Sequence, residues 1–150
     1  MKERFRTFTV LITRISRAIR KIKTEEMQEY GLSNVHVSCL YYLFKEKSLT
    51  AKEIMDICLE DKASLSRAIA FLEENGYIEC DTNQKKRYNS CFKLSLAGVK
   101  IAEGIAHKID NILDFAGEGL SEDKRNGMYE SLMLISDNLE NFCNKYDGEK

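Results

Sequence analysis

One side of the segment 61–75 is polar and basic, whereas the opposite side is apolar. The hydrogen-bond donors in its leading turns are Lys62, Ser64, Ser66 and Arg67. An arginine can donate two parallel hydrogen bonds to a guanine or a phosphate, and short hydroxyl donors suit a base edge or a phosphate oxygen. A helix that enters a DNA major groove needs such donors at its N-terminal end and apolar residues behind them. An ordinary solvated helix face is the alternative interpretation.

A second basic feature lies in the polar segment 81–90. Its candidate DNA-binding side chains are Asn83, Lys85, Lys86 and Arg87. Three consecutive cations repel one another, but beside phosphates they become favourable because association releases counterions. Arg87 suits a narrow minor groove, whereas a solvated charge cluster is the alternative. The two features together predict that the partner is double-stranded DNA.

Helix-start signals indicate that the segment 61–75 is the second helix of a helix-turn-helix. Ser33 is a hydroxyl N-cap for one helix, and Thr50 opens a capping box for a short helix. Asp61 caps the next helix, which Asn75 and Gly76 end. A short capped helix, a tight connection and a second helix are the arrangement in which the second helix reads DNA.

Beyond Gly76 the apolar pattern changes from that of a helix to that of a strand. Segments 77–80 and 91–94 each predict a short strand, and with the polar segment between them they form a β-hairpin with a long basic tip. Helix resumes at about Leu96. The residues expected to face inward on this helix are Val99, Ala102, Ile105, Ile109 and Ile112.

Two apolar seams, one near each end of the chain, have the alternating three- and four-residue spacing of helices that pack side by side. The first seam comprises Phe5, Phe8, Ile12, Ile15, Ile19 and Ile22. The second seam comprises Met128, Leu132, Ile135, Leu139, Phe142 and Tyr146. We interpret both as a dimerisation layer between two copies, because the middle of the chain holds enough apolar residues for its own core. Packing of the seams within one chain is the alternative. The predicted single domain, 1–150, has dimerisation helices in 1–30 and 99–150 and a DNA-binding lobe in 33–98.

Composition limits the class of protein. The 150 residues are 43% apolar and 31% charged, as in an ordinary globular domain, and the net charge of -1 weakly disfavours nucleic acid. No apolar run approaches the roughly 18 residues of a membrane span and no secretory signal is evident, so we expect a cytoplasmic protein without a membrane partner. The five cysteines form no CxxC pair and are expected to be reduced thiols, several of them at apolar positions. Catalytic, metal and cofactor motifs are absent from the sequence, so we expect no enzyme activity, no metal and no cofactor.

Residues 49–98 resemble the DNA-binding lobe of the MarR family of transcriptional regulators. The segment similar to the family's recognition helix and wing start reads Asp61-Lys-Ala-Ser-Leu-Ser-Arg-Ala-Ile-Ala-Phe-Leu-Glu-Glu-Asn-Gly76-Tyr-Ile78. The flanking similarities are Leu49-Thr50-Ala-Lys-Glu53-Ile54 to the preceding helix start and Leu94-Ser95-Leu-Ala-Gly98 to the Leu-Thr-x-x-Gly after the wing. The resemblance implies a mainly α fold with a small β-hairpin wing, that is, a winged helix-turn-helix with N- and C-terminal dimerisation helices. It also implies a homodimer, a palindromic operator, and repression that a small ligand relieves.

The resemblance assigns roles to individual residues. Ser64, Ser66 and Arg67 match the family's base- and phosphate-facing positions, and Arg87 matches its wing arginine. The family usually has an aspartate two residues before that arginine, where this chain has Lys85. We therefore expect more phosphate affinity and a looser wing.

The family's effector usually binds where the dimer layer meets the DNA-binding lobe. In this chain that ligand pocket is predicted near Ile15, Ile19, His36, Cys39, Leu40 and Ile105, and plain core packing is the alternative for each of them. Some relatives sense oxidants through a cysteine near the start of the first helix. The first cysteine here is Cys39, so peroxide sensing by that route is not expected.

A winged-helix module that binds a protein instead of DNA is the alternative function, which the negative net charge motivates.

Overall fold

Six α-helices and three short strands make up the part of the chain that the computed structural model describes, residues 4–80 and 90–147. The helices are α1 (Arg4–Glu26), α2 (Asn34–Glu46), α3 (Ala51–Cys58), α4 (Lys62–Glu74), α5 (Leu96–Ala116) and α6 (Glu122–Asp147). The strands are β1 (Leu49–Thr50), β2 (Ile78–Cys80) and β3 (Cys91–Leu94), and a short 3-10 turn (Gln28–Tyr30) follows α1. The predicted fold class, a mainly α winged helix-turn-helix with a small β wing, is confirmed. Strand β1 is an addition to the predicted hairpin.

Side-chain caps begin the helices at the predicted residues. Ser33 Oγ accepts the backbone N–H of His36 at 3.5 Å, and His36 Nδ1 accepts the N–H of Ser33 at 3.2 Å. Thr50 Oγ1 accepts the N–H of Glu53 at 3.2 Å, and the Glu53 carboxylate accepts the N–H of Thr50 at 2.7 Å. Because the first turn of a helix leaves its N–H groups without backbone partners, these bonds fix where α2 and α3 begin.

The three strands form an antiparallel sheet in the order β1–β3–β2. On one side of β3, Leu94 pairs with Ile78 and Phe92 pairs with Cys80. On the other side, Phe92 pairs with Leu49. Phe92 is almost completely buried, and a one-residue slip would turn it to the opposite face of the sheet. The base of the wing therefore has a fixed register.

The chain divides after Ile109 into two compact units, and each is described by itself. Buried side chains from α2, α3, α4, α5, the sheet and the segment after α1 form the core of the first unit. They are Met27, Val37, Cys39, Leu40, Leu43, Leu49, Ile54, Leu65, Ile69, Leu72, Ile78, Phe92, Ala102 and Ile105. Cys39 thus occupies an apolar core position, as expected of several cysteines, whereas Cys143 is exposed. The middle of the chain holds a core of its own.

Ser95 joins the end of α4, the start of the wing and the start of α5. Its hydroxyl donates to the carbonyl of Gly76 at 2.6 Å and accepts the N–H of Gly98 at 3.0 Å. Its backbone N–H donates to the carbonyl of Tyr77 at 3.0 Å. A Cβ at position 98 would overlap that carbonyl oxygen, so the close approach requires glycine. We call Gly76, Tyr77, Ser95 and Gly98 the Ser95 junction. Their contacts explain why a glycine follows Ser95 at the third position.

The Ser95 junction also determines which face of α5 is buried. Gly98, Ala102 and Ile105, which are four and three residues apart, are buried. Val99 lies beside this face and is exposed. The prediction that Val99 faces inward is therefore wrong, because glycine, and not the first large apolar residue, begins the buried face.

Helices α1 and α6 leave their apolar seams exposed within a single chain. On α1, Ile15 and Ile19 are 54% and 50% exposed, and on α6 Leu139 and Phe142 are each 54% exposed. A lone helix gains most of its stability from packing an apolar face, and contiguous exposed apolar surface of this kind usually marks an interaction site. The two seams therefore have the character of interaction sites.

Within the two described ranges, no helix combines the length and apolar character that a bilayer crossing requires.

Candidate nucleic-acid interface

Helix α4 turns one face to the core and the other to solvent. Its buried residues are Leu65, Ala68, Ile69 and Leu72. Lys62, Ser66 and Arg67 are exposed on the opposite side. Helix α3 precedes it after a three-residue connection, residues 59–61. The structure therefore contains the second helix of the predicted helix-turn-helix in the predicted place. Its apolar face is buried and its basic face is exposed, as the sequence predicts.

Asp61, Ser64 and Arg67 form a chain of hydrogen bonds along the exposed face of α4. The Asp61 carboxylate accepts the backbone N–H of Ser64 at 2.9 Å and its hydroxyl at 2.7 Å. The Arg67 guanidinium donates to Ser64 Oγ at 3.2 Å. The hydroxyl hydrogen of Ser64 is thus used by Asp61, so Ser64 orients Arg67 in this state and does not present a donor to solvent. We call these three residues the Asp61–Arg67 chain.

The Asp61 carboxylate is stabilised in its charged form. Hydrogen bonds from the hydroxyl and backbone of Ser64, together with the charge of Arg67, lower the pKa of Asp61 below its ordinary value. A negative charge at this position also complements the dipole of α4. The cap and the orientation of Arg67 therefore depend on the same ionised group.

Asp61→Ala is expected to destabilise the fold more at neutral than at acidic pH. Because the pKa of Asp61 is lower in the folded chain, its contribution is present above the unfolded pKa and is lost as the pH falls through the folded pKa. Thermal melts at pH 7 and at about pH 3 should show the gap in Tm between wild type and variant narrowing on acidification. Asp56→Ala, on the exposed side of α3, is the control, and equal narrowing in both variants would contradict this role.

A groove of about 350 Å³ separates the first turn of α2 from the exposed face of α4. Its lining residues are Ser33, Val35, His36, Ser64, Arg67, Ala68 and Phe71. The rings of His36 and Phe71 stack with centroids 4.3 Å apart. Arg67 and the N-terminal turn of α2 therefore face the same groove. We call it the α2–α4 groove.

His36 presents a hydrogen-bond donor in this groove. Its Nδ1 accepts the backbone N–H of Ser33, so the neutral ring carries its hydrogen on Nε2. Burial lowers the pKa of His36 below its ordinary value, which favours the neutral ring at pH 7. An arginine, an imidazole N–H and a helix N-terminus are all groups that bind phosphate oxygens. The α2–α4 groove is thus suited to an anion.

The predicted wing residues Asn83, Lys85, Lys86 and Arg87 lie outside the described residues. The base of the wing is described, and there Lys93 pairs with Glu79 across β2 and β3. The predictions for the wing tip therefore stay predictions.

The six predicted pocket residues occupy different surroundings. Cys39, Leu40 and Ile105 are completely buried in the core of the first unit. Ile15 and Ile19 are about half exposed on α1, and His36 lines the α2–α4 groove instead. The structure therefore brings the three core residues together and leaves the other three on two other surfaces, the α1 seam and the α2–α4 groove.

Sequence reasoning did not place His36 and Phe71 beside Arg67. Ser33 is a capping signal, and it places His36 in the first turn of α2. The approach of α2 to α4 is a long-range packing result that no local pattern reports. The α2–α4 groove is therefore visible only in the folded chain.

Comparison with known proteins gives a likeness in structure without a match in sequence. No family model and no curated protein matches the chain. The structure of S. aureus MepR in its DNA-binding conformation superposes with a TM-score of 0.80 at 19% identity, covering 88% of this chain and 98% of that one. A putative MarR-family regulator from Listeria monocytogenes, complexed with 26mer DNA, gives a TM-score of 0.78 at 24% identity, covering 93% and 90%. NMB1585, a MarR-family regulator from Neisseria meningitidis, gives 0.79 at 19%, covering 93% and 97%. At these identities the likeness shows a common fold.

Proposed function

We propose that this chain, which has the fold of MarR-family regulators, is itself a DNA-binding transcriptional regulator of that family. The observation that carries the proposal is the arrangement of α4. Asp61 and Ser64 hold Arg67 on the exposed face of this helix by hydrogen bonds, and the opposite face is buried in the core. Two of the similar structures are of proteins described in a DNA-binding conformation or with DNA, which supports the proposal.

In the proposed complex, α4 enters the major groove. Arg67 donates to a guanine edge or to a phosphate, and Ser66 and Lys62 make further contacts from the same face. The α2–α4 groove receives a backbone phosphate, to which His36 Nε2 and the first turn of α2 donate. Arg87 of the wing reaches the adjacent minor groove. Base contacts and phosphate contacts therefore come from different elements of one lobe.

Two copies are needed to read a palindrome. We assign dimerisation to 1–30 and 99–150 and DNA binding to 33–98. The exposed seams of α1 and α6 support this assignment, because a second copy would bury them. A two-fold dimer sets its two reading helices one helical turn of DNA apart, about 34 Å. The proposed regulator is a repressor of this geometry that a small ligand releases and that acts by binding alone, without catalysis.

Binding to DNA is tested with fluorescent duplexes that carry palindromes from the DNA upstream of the coding sequence. Anisotropy titrations at several salt concentrations should give an affinity that falls linearly on a log–log scale, because each neutralised phosphate releases counterions. No binding to any palindrome at low salt would contradict the proposal. Capture of a protein partner by the same preparation would then favour the protein-binding module.

Ile15→Asp is expected to convert the dimer to single chains at micromolar concentration. Ile15 lies at the middle of the α1 seam and is 54% exposed in the isolated chain, so a charge there would be buried at the interface without a partner. Sedimentation velocity measures the change. Leu96→Asp is the control, since Leu96 is also exposed but lies at the start of α5, away from the seam. A wild-type protein that sediments only as single chains would contradict the dimer.

A further inference from the structure

The side of α1 opposite its apolar seam is basic. With 3.6 residues per helical turn, it lies away from Ile15 and Ile19, so an interface formed by the seam would be on the other side of the helix. Four exposed cations share this side, and we call them the α1 basic face: Arg14, Arg17, Arg20 and Lys21.

The charges of the α1 basic face are not neutralised by the chain itself. Among the described residues, none of its four cations forms an ion pair with a carboxylate. Glu26, near the end of α1, pairs instead with Lys108 at 3.7 Å. Like charges three and four residues apart on a helix repel, and Arg17 has such neighbours on both sides. An anion that binds the α1 basic face would therefore relieve this repulsion.

The α1 basic face ends beside the α2–α4 groove. Thr24 lies one turn after Arg20, and its hydroxyl donates to the carbonyl of Arg20 at 3.0 Å. The same hydroxyl accepts a hydrogen bond from Asn34 Nδ2 at 3.4 Å. Asn34 is the first residue of α2, and its neighbours Ser33 and Val35 line the groove. The basic face therefore begins about one helical turn from a groove that is suited to an anion.

Further contacts fix the end of α1 on the first unit. The Lys23 ammonium donates to Ser38 Oγ on α2 at 2.8 Å, and Met27, directly after α1, is buried in the core. Lys23 is partly buried and is used in this contact, so it does not belong to the α1 basic face. The position of the face beside the groove is thus set by direct contacts between α1 and α2.

We propose that the α1 basic face binds the sugar–phosphate backbone of DNA next to the phosphate that the α2–α4 groove receives. This inference rests on the proposed function. Guanidinium groups donate paired hydrogen bonds to phosphate oxygens, and each neutralised phosphate releases counterions. Contacts of this kind strengthen binding to every sequence and orient the protein on the duplex, but they read no bases.

The arrangement favours DNA over an anionic membrane as the occupant. A basic helix that lies on a membrane inserts its apolar side into the lipid, and on α1 that side is the seam assigned to dimerisation. The α1 basic face instead adjoins the groove lined by Arg67, on the helix proposed to read DNA. Phosphate contacts from α1 would therefore extend one continuous surface.

The contact is tested with Arg17→Gln/Arg20→Gln in anisotropy titrations on a palindromic duplex that binds the wild type. The variant should bind at least about tenfold more weakly at about 0.15 M salt, and the log–log salt dependence of a dimer should become shallower by about 2 to 4. Its Tm should equal or exceed that of wild type, because like charges are removed. Arg17→Lys/Arg20→Lys, which keeps both charges, should recover most of the salt dependence.

The charge-matched control is Lys124→Gln/Lys145→Gln, which removes two exposed cations from α6. Affinity and salt dependence should remain close to those of wild type. An equal loss in this control would mean that only the overall charge matters and would overturn the proposed contact.

Phosphate ethylation locates the contact on the DNA. Ethylation neutralises one phosphate at a time and leaves the bases unchanged. At phosphates bound by the α1 basic face, ethylation should weaken binding of the wild type and leave binding of Arg17→Gln/Arg20→Gln unchanged. At the phosphate in the α2–α4 groove, it should weaken binding of both proteins.

The outcomes separate this contact from the proposed function. Equal affinity of wild type and Arg17→Gln/Arg20→Gln, or the same ethylation pattern for both, overturns the contact and leaves the proposed function standing. A wild type that binds no palindrome contradicts the proposed function, and the contact falls with it. Binding to phosphatidylglycerol vesicles that the variant loses, together with unchanged DNA affinity, would assign the face to a membrane and overturn the proposal.

Discussion

Arg67→Ala is expected to weaken binding to a palindromic operator by at least about thirtyfold. A base-reading arginine contributes about 1–3 kcal/mol, and a dimer loses two of them, so the smallest expected loss is about 2 kcal/mol. Arg67 is exposed and its described partner is Ser64, so the variant should keep the wild-type Tm. Anisotropy titration at one fixed salt concentration measures the effect.

The control for Arg67→Ala is a cation outside the proposed interface. Lys124→Ala removes one exposed positive charge from the first turn of α6 and should change affinity only slightly. If the two variants bind equally well, Arg67 contributes only to the overall charge and the proposed role of α4 is wrong. A fall in affinity that is uniform over all sequences would assign Arg67 to a phosphate instead of a base.

Gly98→Ala is expected to lower the stability of the fold by about 3 kcal/mol, which for a chain of this size corresponds to a fall in Tm of roughly 6–12 °C. The new Cβ would overlap the carbonyl oxygen of Tyr77 and lie 2.9 Å from its carbon. That carbonyl is backbone and accepts the Ser95 N–H, so moving it breaks a hydrogen bond of the Ser95 junction. Melts of wild type and variant at one protein concentration give the comparison.

Gly127→Ala is the matched control, because it makes the same change inside α6 where nothing lies within 4 Å of the added Cβ. It should raise stability by up to about 1 kcal/mol through the helix propensity of alanine. A loss at Gly127 as large as the loss at Gly98 would mean that the effect comes from glycine replacement in general and not from the Tyr77 carbonyl.

Local signals predicted the elements of this chain well. Ser33, Thr50 and Asp61 are short polar residues whose capping bonds involve neighbours three residues away, so the sequence contains both partners of each bond. The change from helical to strand spacing after Gly76 likewise depends on adjacent residues. Strand β1 was outside the prediction, because two residues are too short to show a period.

Features that depend on contacts between elements were not predictable in the same way. Val99 was expected to be buried because large apolar residues dominate the periodic signal, whereas the actual contact begins at Gly98. The stacking of His36 on Phe71 requires α2 and α4 to meet. Each of these residues alone fits a local pattern, so the α2–α4 groove is a property of the fold.

The way the wing is anchored has a practical consequence for engineering. Pairing of β3 with β1 and β2, together with the bonds of Ser95, holds the base of the hairpin through residues that all lie outside 81–89. Exchanging, lengthening or shortening the tip should therefore leave α4 undisturbed. In the proposed regulator, preference for the sequence that flanks an operator should therefore be transferable by grafting the tip alone, while the central base preference stays with the recipient.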